Sequence, residues 1–527
     1  WGVHDHINES ADLVMYWWHR GAELVASGEA KKAGFITTNS IRMAQNRRVV
    51  QAGLVSGVRL AWAIPDHPWV DEVDGAAVRV AMSVLAEPGG LSRLVEVDDA
   101  GSIRSIESSS AINADFTVGT DVSAPRTGLL ASSGLTSFGF MLSGAGFILE
   151  RAEAHKLLAM DPRHAEVVRP YVNGRDLSAR TRDAYVIDLG VKTEAAARVF
   201  AVPFGIVVDR VRPARLSKQD GTTRRKWWQF ARPRPDLRRA LVGLKRFIAT
   251  PETAKYRLFQ FVDAAVAPDH KIIAIAVNDA WVLGVLSGGV HGAWALATGG
   301  RLGVGNDPVY NTTLCFDPFP FPDPSPDLRE KIGAVAERLD AHRKAAIARD
   351  ERVTMTGMYN VVEKLRSNEA LTPKERAVHE VAACGVLRDL HDELDVLVAE
   401  SYGWPWPLER EEILERLVKL HDERVAEEKT GKVRWLRPEY QIPRYAPDAK
   451  PAELDLPASQ TAGPQTSQIA QIEKLTWPGT GVEQLTAVKG VAGRVGAQAE
   501  AVQAAFQGAD AGLVRRHLET LVVMGEV

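Results

Sequence analysis

The stretch RRKWWQFARPRPDLRR, residues 224–239, interleaves basic side chains with three aromatic ones. Lys and Arg supply the charge that phosphates attract, and planar rings supply faces for bases or sugars, so this composition suits a polyanion. Arg224, Arg225, Lys226 and Arg232 are its candidate phosphate partners; Trp227 and Trp228 are its candidate stacking groups. A longer basic run surrounds it: from Arg210 to Arg246 there are thirteen Lys or Arg and only two acidic residues, Asp220 and Asp236. Runs of this kind also occur as solvated faces or along protein interfaces.

Two further stretches carry side chains that can read base edges. RPYVNGRDL (169–177) holds the turn signal Asn173-Gly174 followed by Arg175. GVGNDPVYNTTLCFDPFPFPDP (303–324) offers Asn306 and Tyr310 beside Pro308. Arg makes bidentate hydrogen bonds to guanine and Asn to adenine. The same residues also suit turns closed by Asx hydrogen bonds. A third stretch, AGFITTNSI (33–41), is an apolar strand stopped by Asn39 and Ser40. In open α/β sheets ligands sit outside the carboxyl ends of the strands, where this polar pair would stand. Asn39 also suits the cap of the helix that follows, and the two roles are compatible.

The elements that must position these groups follow from periodicity. Residues 10–26 carry apolar residues at 14, 17, 18, 22 and 25, a helical spacing. A strand over 33–38, a helix over 40–53 and strands over 58–64 and 76–85 follow, a pattern expected of an α/β sheet covered on both faces. Residues 1–119 resemble the second half of such a domain. Over 120–324 short β-rich runs (FGFML, GAGFILE, AYVIDLG, KIIAIAV, AWVLGVLS) are broken by Gly and Pro, as in a mixed α/β domain. Residues 325–442 read as long amphipathic helices with charged outer faces, a spacer or scaffold. Residues 443–478, rich in Pro, Ala, Ser, Thr and Gln, read as a linker. Residues 479–527 read as a small helical unit, with helices near 496–507 and 511–523 and a possible winged-helix character.

A chain of 527 residues needs more than one core, and 45% apolar with 25% charged residues is ordinary for a globular protein. Cys315 and Cys384 are far apart and lack metal-ligand spacing, which argues against a disulfide framework or a zinc site and suits a reducing cytoplasm. No metal and no membrane partner are expected, since no apolar run reaches spanning length. The net charge of −3 predicts no acidic partner by itself; the distribution of charge does. The chain opens on Trp1 in place of Met, so the natural N-terminus is expected upstream.

Taken together, HINESADLVMYWWHRGAELV, AGFITTNSI, AWAIPDHPW, RPYVNGRDL, KWWQFARPRPDLRRAL, RFIATPETAKYRLFQF, the 303–324 stretch, HDELDVLVAESYGWP and VRWLRPEYQ resemble the large bacterial DNA methyltransferases of the MmeI-like, type IIG group. The likeness runs in order from residue 1 to about 440, and it makes residues 1–119 the C-terminal half of a Rossmann-like methyltransferase sheet. It implies an S-adenosylmethionine-dependent, adenine-N6 DNA methyltransferase fused to a target-recognition domain and helical spacers, acting on double-stranded DNA in a restriction-modification or phage-defence system, with a possible nuclease or other subunits. It makes Trp69 a candidate stacking residue for a flipped adenine, which must leave the helix before its amino group can be reached.

The sequence departs from that pattern at the chemistry. There is no GxGxxG, and neither Asp307-Pro308-Val309-Tyr310 nor Asp317-Pro318-Phe319 has the two adjacent prolines of the catalytic tetrapeptide. The catalytic motif and the main cofactor site are therefore expected upstream, with Asn39 and Ser40 on a surviving rim and no catalytic residue in this chain. Two classes stay open: a methyltransferase present as a fragment, and a sequence-specific DNA-binding module that lacks chemistry or completes an active site from another chain; a helical scaffold would explain 325–440 but not the basic stretch.

Overall fold

The computed structural model describes residues 7, 11–69, 78–98, 100–122, 126–217, 220–302 and 307–447, and beyond them 475–477, 484, 487–489, 491, 502–503, 506–507 and 510–523. The chain divides into two compact units, Trp1–Lys450 and Pro451–Val527.

The first unit begins with the helix Val14–Ala26, a single 3-10 turn at Asn39–Arg42 and the helix Ala44–Val55. The strands, in chain order, are β1 (Lys32–Thr38), β2 (Arg59–Trp69), β3 (Val78–Ala86), β4 (Ser92–Val97) and β5 (Ile103–Ser109). They form one sheet in the order β1-β3-β2-β4-β5. β3 runs antiparallel to both β1 and β2, β2 parallel to β4, and β4 antiparallel to β5. The sheet is thus mixed: β2 and β3, neighbours in the chain, pair as a hairpin. Strands β4 and β5 were not expected at all. Met15, Trp18, Ala22 and Val25 form the buried stripe of the first helix, packed with Leu60, Ala63, Ala81 and Leu85 of the sheet. A Cβ on Gly53 would stand 2.7 Å from the Trp18 ring, so that helix contact needs the glycine. On the opposite face lie the cross-strand neighbours Ile36, Met82 and Ile64 and the row Gly34, Val84 and Trp62; Ile64 is buried there, while Ile36 on the edge strand is 57% exposed.

Further along are β6 (Thr136–Phe138), β7 (Ile148–Leu149), β8 (Val168–Val172), β9 (Ala184–Ile187), β10 (Arg246–Pro251), β11 (Gln260–Asp263), β12 (Ala267–Pro268), β13 (Ile272–Ile275), β14 (Gly300–Leu302) and β15 (Asp307–Val309). Two four-stranded sheets result, β11-β10-β13-β6 and β12-β8-β9-β7, with β14 and β15 as a separate ribbon. The turn Asp269–Lys271 carries the chain from β12 in one sheet to β13 in the other. AWVLGVLS, read as a β-rich run, is instead the helix Ala280–Ser287, buried along most of its length. A short apolar run without alternation does not distinguish a buried strand from a buried helix.

The long helices Pro326–Arg349, Met355–Ser367, Pro373–Ala382, Cys384–Ser401 and Arg410–Lys429 share one hydrophobic core with these sheets. Polar clamps fix the junction. Arg343, fully buried, donates to the Phe259 carbonyl at 2.9 Å. The Glu428 carboxylate accepts from the backbone N–H groups of Leu130 (2.8 Å) and Ala131 (3.0 Å).

In the second unit the helix Ala511–Val523 matches expectation, whereas Phe506–Gln507 is extended and pairs in parallel with Leu475–Thr476. Val488, Val491, Val502, Phe506, Val514, Leu518 and Leu521 form its core. The rest of the expected linker and most of the possible winged-helix segment lie outside the described residues.

Candidate nucleic-acid interface

The two sheets of residues 136–275 end together on one edge. At the end of β8, Asn173 caps the short helix Gly174–Ser178: its side-chain oxygen accepts from the N–H groups of Arg175 (3.0 Å) and Asp176 (3.2 Å), and Asp176 returns a bond to the Asn173 N–H. Asp176 also accepts two hydrogen bonds from the Arg182 guanidinium at 2.9 and 2.7 Å. Burial pushes this carboxyl up, but Arg182 and the backbone donors outweigh it and hold its pKa below the ordinary value. The turn is therefore rigid, and it leaves the Arg175 side chain exposed, with no hydrogen bond or ion pair among the described residues.

Neighbours extend this edge in both directions. Gly174 abuts Pro251 at the end of β10. Glu252 pairs with Lys271 at 2.6 Å and accepts from the Tyr310 N–H at 2.8 Å. The Ala254 N–H donates to the Pro308 carbonyl at 3.3 Å, so the 252–254 segment borders β15. On the other side the Asp269 N–H donates to Val172, and Gly139 and Phe140 donate to Ile272 and Pro268. A Cβ on Gly139 would meet the Asp269 carbonyl at 2.2 Å, so only glycine permits that approach. Met141 and Arg232 exchange backbone hydrogen bonds at 3.3 and 3.2 Å, and the Arg234 guanidinium donates to the Gly139 carbonyl. One edge thus runs from Arg232 through 139–141, 269–271 and 173–175 to 252–254 and 307–311.

The basic residues sort into two sets. Arg238 pairs with Asp188, Arg239 with Asp236, Arg246 with Glu337 and Arg210 with Glu153. Those cations serve the fold. Arg224, Arg225 and Lys226, by contrast, are exposed and make no side-chain hydrogen bond or ion pair among the described residues. Arg232 is exposed and close enough to Asp220 to help lower its pKa, after the Thr223 and Thr222 hydrogen bonds.

Three expected contact residues are corrected. Trp227 and Trp228 are buried; Trp228 donates its indole N–H to the Lys192 carbonyl at 3.0 Å, and Trp227 packs on Phe204 and edge-on to Trp228. They are core residues beneath the basic strip, and no base can stack on them there. Tyr310 is 1% exposed, its hydroxyl 3.1 Å from His291 Nε2 and its ring edge-on to Phe259. Burial pushes the His291 pKa down to about 3, so the imidazole is neutral. Asn306 lies outside the described residues.

At the carboxyl end of β1, Asn39 is the first residue of the 3-10 turn and not its cap, which is Thr38. Asn39 donates to Asp66 at 3.2 Å, and Asp66 also accepts from Arg79. Ser40 donates to Asp12 at 2.5 Å, and Asp12 accepts from Asn46 at 2.8 Å. Trp69, at the end of β2, is 44% exposed. The sequence reading missed His270, Lys271 and Arg257 on the first edge; nothing in the local pattern around them separates a turn at the edge from any other polar turn.

Residues 126–323 match the family model "MmeI, target recognition domain". No curated protein matches the chain. Among solved structures, the Type IIL restriction-modification enzyme MmeI in complex with DNA shares the fold with a TM-score of 0.63 and 18% identity, over 81% of this chain and 54% of that one. This chain therefore spans about half the length of that relative. The type IIG restriction endonuclease BpuSI aligns with a TM-score of 0.23 and 9% identity over 75% of this chain and 53% of that one, too low to bear on the fold.

Proposed function

We propose that this chain, whose residues 126–323 are a target recognition domain of the MmeI type, reads a specific sequence in double-stranded DNA on behalf of a bacterial restriction-modification enzyme. The observation that carries the reading is the edge just described, with unpaired cations on its flank and a capped, exposed arginine at its centre. Phosphate contacts set register and carry most of the affinity; base-edge contacts select the sequence. Arg224, Arg225, Lys226 and Arg232 take the first role. Arg175 takes the second, on guanine O6 and N7, and Asn306, outside the described residues, is proposed for adenine.

The wider activity, an S-adenosylmethionine-dependent adenine-N6 methyltransferase, is part of the same reading and belongs to a longer assembly. The edge strand β1 of the N-terminal sheet, with Ile36 exposed, supports a further layer of structure over it. The rim at β1 does not by itself fit the cofactor: Asn39 and Ser40 are spent on Asp66 and Asp12, and no glycine-rich loop accompanies them. No methyl-transfer step is assigned to these residues. Trp69, half-exposed, remains available as the stacking partner of a flipped base. The alternative reading is a sequence-specific DNA-binding module without chemistry of its own.

The test of DNA reading is salt-dependent binding to duplex DNA by the chain and by its Arg224→Ala/Arg225→Ala/Lys226→Ala variant. Each lost phosphate contact lowers the slope of log K against log salt by about 0.9, so the slope falls by roughly two to three units for all sequences alike. An unchanged affinity and slope would contradict the placement.

A further inference from the structure

We infer that Arg257 is a positioning residue for base recognition, its guanidinium locking the end of β10 and strand β15 into one rigid edge. The inference deepens the function reading above and rests on it. Arg257 Nη1 donates to Thr250 Oγ1 at 3.1 Å and to the Pro251 carbonyl; Nη2 donates to the Glu252 carbonyl at 3.3 Å and to the Pro308 carbonyl at 2.9 Å. The guanidinium lies over the Tyr310 ring, 5.2 Å from its centroid. Tyr310 continues inward to His291, whose Nδ1 meets the Leu286 carbonyl at 3.1 Å. The ribbon β14–β15 is thus tied through one side chain to β10 and through the next to the buried helices.

Arg257 has no carboxylate partner among the described residues, and burial lowers its pKa against the opposing influence of Tyr310 and Cys315. A half-buried cation bonded only to neutral oxygens is a costly way to gain stability, and apolar packing commonly serves that purpose as well. What the planar fork supplies is geometry: four acceptors on two segments are held at fixed angles, which the single ammonium of lysine cannot reproduce. Base readout has that requirement, since recognition groups must be held within about 0.5 Å of the productive position. The same segment seats Arg175, because Gly174 abuts Pro251 and Glu252 pairs with Lys271. Displacing Arg257 therefore loosens the seat of Arg175 while leaving the phosphate contacts at 224–226 in place.

The experiment uses the whole chain. A preferred duplex is first defined for wild type, and affinity for it is compared with affinity for single-base-pair variants, together with the salt slope and a thermal melt. Arg257→Lys and Arg257→Gln are expected to keep the wild-type salt slope and a cooperative melt while discrimination falls at least tenfold. Tyr310→Phe, which retains the ring beneath the guanidinium, is expected to lose less. Discrimination by Arg257→Lys equal to wild type would overturn the inference, whatever its melting temperature, and decides the matter if Arg257→Gln does not fold. A wild-type chain with no preferred duplex would overturn the function reading, and this inference with it.

Discussion

The N-terminal sheet and the paired sheets of residues 136–275 are built from similar apolar runs but bury them differently. β10 and β13 are buried along almost their whole length, between flanking strands and under helices on a shared core. β1 is an edge strand exposed at every other position, and among the described residues the helices Val14–Ala26 and Ala44–Val55 pack on one face of its sheet. The adjacent residues Trp17 and Trp18 show the contrast within one helix: 68% exposed against 0%. The recognition region shares its core with the long helices and leaves charge over at an edge, whereas the edge strand of the N-terminal sheet leaves Ile36 exposed. Unpaired cations at an edge mark a polyanion site.

The comparison breaks most readily at the buried ion cluster of the recognition region. Asp188, with its side chain 1% exposed, is bonded by Arg238 and Arg169. Burial raises its pKa, but the two guanidinium groups win and hold it below the ordinary value. Its stabilising contribution is thus present above the ordinary Asp pKa and lost as pH falls through the depressed folded value. Asp188→Ala leaves two cations unpaired and should cost about 3–5 kcal/mol in denaturant unfolding. A loss below about 1 kcal/mol would show that the region does not depend on this cluster.

The N-terminal contrast is tested next. Trp18→Ala should destabilise its helix by about 3–5 kcal/mol, read as faster hydrogen exchange over 14–26 and over the helix at 44–55 that it packs against, while Trp17→Ala should stay within about 0.5 kcal/mol. Equal effects would mean that both faces are covered in solution.

A pH signature sharpens the difference. Burial pushes Asp317 and Asp395 up to about 6, and both lie in or against the recognition region. A carboxyl with a raised folded pKa adds stability below its unfolded value, near 3.9, and loses it as pH rises through about 6. Asp317→Asn and Asp395→Asn should each be more stable than wild type at pH 8, by roughly 1–3 kcal/mol, and equal to it near pH 4. A difference that stays constant from pH 4 to 8 would contradict this. The smallest expected effect is at the cap: Asn173→Ala should cost about 1 kcal/mol in thermal melts. No change would mean that the Arg175 turn is held by Asp176 and Arg182 alone.

Much of the chain was legible where local chemistry decides. The helix at 14–26, strands β1 and β13, and the Asn173-Gly174 turn follow from periodicity and turn residues. Strand direction was not legible, since an apolar run records burial and not orientation, so the antiparallel β3 between β1 and β2 came only with the structure. The strand expected over 58–64 is longer in the structure: β2 passes Pro65 and Pro68 and continues to Trp69 through a register irregularity between Ile64 and His67. At the site, exposure was the missing quantity. Arg224 and Trp227 are three residues apart in one basic-aromatic stretch, yet one side chain points to solvent and the other into the core. Arg257 carried no local signal because its partners at Pro308 and Thr250 meet only in the folded chain.

The most direct measurement of the central claim is a binding selection from randomised duplex DNA, run with the wild-type chain and with Arg175→Ala. The account predicts one short enriched site for wild type and, for Arg175→Ala, the same site with a guanine position relaxed, at a cost of roughly 1–3 kcal/mol on the preferred duplex. No enrichment by the wild-type chain, or an identical site from Arg175→Ala with a lowered melting temperature, would contradict it.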